Sequence, residues 1–246
     1  DILRCFTPES PALANQSIAE RTGLPKPTVS RLTHTLCELE YLSFSQRSGA
    51  YHLGPGVLAL GYATIASLEM REHLRPYMET LADMANVTVA LGARDRLDVI
   101  YLDVCRGRQT VTLSRNVGSR LPIAKTAIGR AILAALPEIE QRFLIEALQK
   151  DDPENAADLE RTIRTARDEI DRQGFCTSLG DGQPDVNAVA APIRSLDGEQ
   201  VYGLNVSGPA FMVPRDLLLQ ELGPRLARVA RHLGGPDMKH RENWGI

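Results

Sequence analysis

Apolar residues recur along this chain at two periods, and the changes of period divide it. Ile2, Leu3 and Phe6 end an opening helix that Pro8 and Pro11 stop. Asn15 is placed as an N-cap, and residues 16–22 read as a short helix with Ile18 and Ala19 inward. Gly23 ends that helix, because glycine takes the left-handed conformation without a Cβ penalty. After the Leu24-Pro25 turn, Pro27 sits in the first turn of a helix over 27–39. Its apolar positions Val29, Leu32, Leu36 and Leu39 fall at helical spacing and predict one buried stripe. Residues 42–45 and 50–53 alternate around Gln46-Arg47-Ser48-Gly49, the pattern of two short strands and their turn. Two helices followed at once by such a hairpin predict a winged helix-turn-helix over residues 1–55.

Gly54-Pro55-Gly56 punctuates the end of this unit. Val57, Leu58, Leu60, Ile65 and Leu68 then predict a linker helix over 56–70, with a break near 69–71. Leu74, Tyr77, Met78 and Leu81 predict a second helix to about residue 85. The linker helix is apolar on more than one side, so it needs a partner, and a second copy of the chain is the natural one. Residues 71–235 read as α/β. Strands are expected at 87–91, 97–104, 110–114, 186–193 and 200–206, with a loop at 118–123. Helices are expected at 126–135, 138–148, 156–173 and 214–233, the third closed by Gly174. The polar tail, 236–246, is expected to be loose. The whole is α+β in class.

Composition narrows the picture without deciding it. With 246 residues, 43% hydrophobic and 24% charged, the chain suits a soluble protein of two units. A formal net charge of -3 gives no global sign of nucleic acid, so local charge must carry any such reading. Cys5, Cys37, Cys105 and Cys176 show no C-x-x-C pair and no paired histidines, so neither a zinc site nor another metal is expected. Sparse cysteines fit a reducing cytoplasm. The sequence has no apolar run of about 18 residues, and neither a membrane span nor a signal peptide is expected. The chain begins without Met, so residues can precede Asp1.

The face of the 27–39 helix opposite its apolar stripe carries Thr28, Ser30, Arg31, Thr33 and His34, next to Lys26, with no acid before Glu38. A recognition helix reads base edges in the major groove from its N-terminal end. Arg31 suits bidentate bonding to guanine, and Lys26 and Thr28 suit phosphate. Gln16, Ser17, Pro27, Ser30 and His34 complete the DNA-facing set, and Arg47 at the hairpin tip reaches the backbone or minor groove. The alternative is a solvated polar face on a winged-helix protein-interaction module.

Ile18-Ala19-Glu20-Arg21-Thr22-Gly23-Leu24-Pro25-Lys26-Pro27-Thr28-Val29-Ser30-Arg31-Leu32 resembles the DNA-reading helices of the IclR family of bacterial transcriptional regulators. Tyr41-Leu42 and Tyr51-His52-Leu53-Gly54-Pro55 continue the likeness. So do the stretch from Leu121 to Ala134, Asp185-Val186-Asn187-Ala188-Val189-Ala190-Ala191-Pro192-Ile193 and Leu204-Asn205-Val206-Ser207-Gly208-Pro209. The resemblance implies a profilin- or GAF-like effector domain with a pocket between its sheet and the 118–129 loop. The residues it implies for that pocket are Leu121, Ala127, Ile128, Val186, Ala188, Asn205 and Ser207, with Gly129 at a close approach. Two positions depart from the family pattern. Glu40 stands where glycine is common and implies a strained left-handed backbone. Lys125 stands where small residues are frequent.

The residues themselves point weakly to the same pocket. Free N–H groups at a helix start favour a carboxylate. Thr126, Asn187, Asn205 and Ser207 are neutral hydrogen-bonding groups in apolar surroundings, suited to a small organic acid, aromatic among the options. Thr126 reads equally as an ordinary N-cap, and Asn205 and Ser207 as satisfied buried groups. Lys125 can pair with a ligand carboxylate or run to solvent, and solvent is the expectation. Cys105 and Cys176 as redox thiols, with His73 or Asp185 as proton carriers, make up the enzyme alternative. No nucleophile–base pair is evident, so no catalytic residue and no cofactor is expected. The expected partners are an operator duplex, a small carboxylate and further copies of the chain, as a homodimer or dimer of dimers acting as a repressor.

Overall fold

Glycine and proline bracket the two helices that open the chain. In the computed structural model, which describes residues 1–108, 115–195 and 197–234, α1 spans Asn15–Thr22 and ends on Gly23 at φ 68°. The next helix, α2, spans Lys26–Glu38 with Pro27 in its first turn. Asn15 is not the cap that the sequence predicts. That position falls to Ala14, which makes no side-chain cap bond. Asn15 lies inside the helix, and its Nδ2 donates to Ser30 Oγ at 3.0 Å, tying α1 to α2. The predicted stripe of α2 also needs correction. Val29 and Thr33 are fully buried, whereas Leu32 and Leu39 are 40% and 57% exposed. Thr33 can lie inside because its hydroxyl donates to Val29 O at 2.9 Å, leaving a β-branched side chain with no polar group unspent.

A small core of Ile2, Phe6, Leu13, Ile18, Ala19, Val29 and Leu42 holds this first unit together. The opening segment is a 3-10 turn, Ile2–Cys5, and Arg21 clamps it by donating to Cys5 O at 2.7 Å and Ser10 Oγ at 3.0 Å. The hairpin strands β2 (Leu42–Ser45) and β3 (Ala50–Leu53) pair as expected, and β1 (Ala12–Leu13) adds a third strand, in the order β1-β3-β2. Two residues are too few for a periodic signal, so β1 was invisible in the sequence. Phe44 and Tyr51 face each other across the hairpin with ring centroids 4.9 Å apart. Helix α3 (Pro55–Ala66) buries none of its residues, and Leu58 and Tyr62 are 76% and 71% exposed. The helical run breaks at Ser67–Leu68, before the expected 69–71, and the chain divides there into two compact units, Asp1–Leu68 and Glu69–Ile246.

The second unit is built on a six-stranded antiparallel sheet in the order β6-β5-β4-β9-β8-β7. Its strands are β4 (Thr88–Asp95), β5 (Asp98–Arg106), β6 (Arg120–Pro122), β7 (Cys176–Leu179), β8 (Val186–Arg194) and β9 (Val201–Pro209). The expected 118–123 loop contains β6, and β7 was not foreseen. The strand expected at 110–114 and the tail at 236–246 lie outside the described residues. Helix α4 (Glu69–Ala85) lays Met70, Leu74, Met78, Leu81 and Ala82 against β4 and β5. Helix α5 (Ala127–Ala135) packs on β8 and β9 and against α7 (Ala156–Gln173), and α6 (Glu138–Asp151) packs on α7. The last helical run is α8 (Arg215–Leu217), a π-helical stretch Leu218–Leu222, and α9 (Gly223–Leu233), which packs on β8 and β9. No described helix is long and apolar enough to cross a membrane.

One irregularity in the sheet matters for the site. The β4–β5 register shifts between Leu91 and Gly92, so Leu102 is an extra residue on β5. Strict alternation would put Tyr101 and Asp103 on one face. The bulge turns them apart. Tyr101 joins the core with Ala127, Ile128 and Ala188. Asp103 meets α4, paired with Arg71 and Arg75 at 2.9 Å each.

Candidate functional site

Two places carry the predicted chemistry, one in each unit. In the first, Lys26, Pro27, Ser30, Arg31 and His34 are all exposed on α2 and Thr28 is half-buried. Positions 27, 30, 31 and 34 are three or four apart and share one helix face. No acidic residue occurs on α2 before Glu38, so this face presents a hydroxyl and a guanidinium in the helix's N-terminal half and an imidazole one turn further on. Thr33, grouped with this face in the sequence, is buried and contributes nothing to it. Arg47 is exposed at the hairpin tip, where Gly49 takes φ 64° and donates to Ser45 O at 2.8 Å. On α1, Gln16 is exposed and its amide is engaged by Glu20, while Ser17 is half-buried. Arg21, the remaining cation of α1, is spent on the chain's opening segment.

In the second unit a cavity of about 220 Å³ opens between the sheet and the start of α5. Leu121, Thr126, Ala127, Ile128, Val186, Ala188, Asn205 and Ser207 of the predicted set line it. Two predicted residues do not. Asn187 is turned away and donates to Val213 O at 3.0 Å. Gly129 is a close-approach residue, but toward the protein itself: a Cβ there would lie 1.9 Å from Ile123 O. The contact fixes α5 against the segment that forms the cavity's rim. Tyr101, Arg115, Pro122, Ser178, Gly182 and Gln183 line the cavity without having been foreseen. Tyr101 was hidden by the bulge, and Ser178, Gly182 and Gln183 by the missed strand β7 and its following loop.

Thr126 is the N-cap of α5: its Oγ1 accepts from Gly129 N at 3.3 Å and donates to Pro122 O at 3.1 Å. Its proton is therefore spent within the protein. Lys125 is exposed, as expected, and also lines the cavity together with Arg115; no carboxylate lies among the described lining residues. Behind the rim, Arg130 is a largely buried cation on an otherwise apolar helix. It pairs with Asp181 at 2.6 Å and donates to Ala124 O at 3.2 Å. It thus joins the rim segment to the β7–β8 loop that supplies Gly182 and Gln183. A lone charge in Ala127-Ile128-Gly129-Arg130-Ala131-Ile132-Leu133 was the available signal for this role.

The thiols of the enzyme alternative do not suit that role. Burial pushes the Cys105 thiol up to about 11 and the Cys176 thiol up to about 12, so both are protonated at neutral pH. Among the described residues, no group of His, Cys, Asp and Glu has the arrangement to hold a metal ion.

A winged helix-turn-helix in one unit and a sheet-backed, small-molecule-sized cavity in the other define a ligand-responsive DNA-binding regulator as the class. Residues 1–45 match the model of the IclR helix-turn-helix domain, and residues 62–234 match that of the bacterial transcriptional regulator IclR C-terminal domain. The chain is 35% identical over 235 residues to the HTH-type transcriptional regulator TsaQ1/TsaQ2 of Comamonas testosteroni, covering 95% of this chain and 84% of that protein. It is 28% identical to the Pca regulon regulatory protein of Pseudomonas putida, covering 94% and 80%. The crystal structure of an IclR family transcriptional regulator from Brucella abortus superposes with a TM-score of 0.88 at 44% identity, covering 94% of this chain and 88% of that one. The protein belongs to the IclR family: it is a DNA-binding transcriptional regulator with a small-molecule effector, and the family is not one of enzymes.

Proposed function

We propose that α2 reads an operator through Lys26, Pro27, Thr28, Ser30, Arg31 and His34. Gln16, Ser17 and Arg47 stand at the phosphates, and binding of a small carboxylate in the second unit releases repression. The observation that carries this reading is the acid-free, exposed cationic and hydroxyl face of α2. For the effector it is a small cavity lined by Arg115 and Lys125 and, among the described residues, by no carboxylate. The functional divisions follow as residues 1–55 for DNA, 56–70 for the linker and 71–235 for the effector. The exposed, uncharged and largely apolar character of α3 supports its burial against a second copy, making a homodimer and, by further pairing, a tetramer that reads a two-fold site.

The test is fluorescence anisotropy with duplexes from the protein's own promoter region across a salt series. Arg31→Ala is expected to lose about tenfold or more in affinity for the preferred sequence while retaining weak general binding. Lys26→Ala is expected to weaken all duplexes alike and to flatten the salt dependence by about one phosphate contact. Full affinity and sequence preference in Arg31→Ala would remove α2 as the reading helix.

A further inference from the structure

The cavity's inner wall holds a hydrogen-bonding group that the protein leaves unused. Asn205, on β9, is 3% exposed and lines the cavity, and its Oδ1 has no hydrogen-bond partner among the described residues. Its neighbours across the sheet on either side are Ala90 and Ala190, both fully buried, whose side chains offer it no polar atom. Its Nδ2 reaches the Tyr101 hydroxyl at a long 3.5 Å. Burial pushes the Tyr101 phenol above its ordinary pKa, so at neutral pH its hydroxyl keeps its proton and can both donate and accept. A buried acceptor without a partner is unfavourable, and the chemistry that relieves it is a donor arriving with a ligand.

We infer that the effector is a hydroxylated carboxylic acid of about one ring's size. Its hydroxyl is held between Asn205 and Tyr101, and its carboxylate lies toward Lys125, Arg115 and the N-terminus of α5. This rests on the reading of the cavity as the effector site and goes beyond it by fixing a second polar group on the ligand. A hydroxyl fits whichever way the Asn205 amide is turned, because it donates to the oxygen and accepts from the nitrogen or from Tyr101. A methoxy or halogen substituent cannot donate, and an unsubstituted ring leaves Oδ1 as it is. The volume of about 220 Å³ lies below the roughly 300–1,000 Å³ of sites for larger ligands, which limits the ligand to a small metabolite. The two cations and the absence of lining carboxylates place the anionic end at the rim, since the inner wall between Ala90 and Ala190 provides no counter-charge.

Titration calorimetry on the full chain tests this with matched probes: 3- and 4-hydroxybenzoate and 4-hydroxyphenylacetate, each against its unsubstituted and O-methyl counterpart. At least one hydroxylated acid is expected to bind about tenfold or more tightly than both counterparts. In Asn205→Leu that preference is expected to vanish while the unsubstituted acid keeps its affinity, and in Tyr101→Phe it is expected to shrink. If that leucine variant does not fold, the ratios on the unaltered chain still decide. Equal binding of hydroxylated and unsubstituted acids overturns the inference and leaves the carboxylate site standing. No binding by any of the acids overturns both.

Discussion

Replacing Glu40 by glycine is expected to stabilise the first unit. Glu40 follows α2 with φ 59°, a left-handed conformation that side chains with a Cβ disfavour. The hydrogen bonds explain why it is held there. Glu40 N donates to Cys37 O and Tyr41 N to Leu36 O, both at 2.9 Å, the paired bonds of a Schellman helix end. That closure sends the chain directly into β2 and aligns the hairpin beside the reading helix. The left-handed cost for a non-glycine residue is about 1–2 kcal/mol. Glycine adds freedom to the unfolded chain that offsets about 0.4–1 kcal/mol of this. The net gain centres on about 0.5–1 kcal/mol within a span of about 0–1.6, and nothing offsets it because the exposed Glu40 side chain makes no hydrogen bond or ion pair among the described residues. For a unit spanning Asp1–Leu68 this is a rise of about 2–8 °C in melting temperature. Calorimetry locates the transition, and hydrogen exchange on peptides from α2 assigns it to the first unit. The order expected is Glu40→Gly above Glu40→Asn, with Glu40→Ala close to the unaltered chain because alanine keeps the Cβ. A glycine variant no more stable than the alanine variant would refute the strain argument.

Gly129→Ala is expected to destabilise the second unit by about 1–3 kcal/mol, since its Cβ would lie 1.9 Å from a backbone oxygen and could be accommodated only by moving the cavity rim. Urea denaturation measures it, and unchanged stability would contradict the close approach. Cys105 and Cys176 are expected to stay silent to a thiol reagent at pH 8 until the protein unfolds; rapid labelling of either would contradict their burial and raised pKa. In the unfolded chain these thiols titrate near 9, whereas in the folded chain they hold their protons to about 11 and about 12. The unfolded state therefore binds fewer protons above pH 9, and stability falls as pH rises from there. In Cys105→Ala/Cys176→Ala the fall is expected to be shallower, and an identical slope in urea midpoints against pH would disprove the linkage.

Much of the architecture is legible in local pattern. Gly23 and Pro27 bracket a turn between helices, Gly49 closes a hairpin, and Gly174 ends α7. Each acts through its own backbone dihedrals and so needs no knowledge of distant residues. The left-handed Glu40 was expected only from the family resemblance, in which glycine is common at that position. Patterning failed where burial depends on neighbours. Leu32 and Leu39 match the helical period yet are exposed, and Thr33 reads as polar yet is fully buried. The strands β1, β6 and β7 were missed as well, whereas β2 and β3, no longer than β7, were legible because a turn signal stands between them.

What the sequence determined by itself is therefore the order of the longer elements and the acid-free cationic face of α2, while the family resemblance supplied the stretch from Leu121 to Ala134 beside the cavity. Only the tertiary structure decided which polar groups converge. Asn205 and Tyr101 stand 104 positions apart in the chain and share a cavity because β5 and β9 flank β4 and a bulge rotates Tyr101 inward. Arg130 and Asp181 meet 51 positions apart for a similar reason. Sheet order and a one-residue register shift are set by the collective packing of both faces, and no local window of residues contains that information.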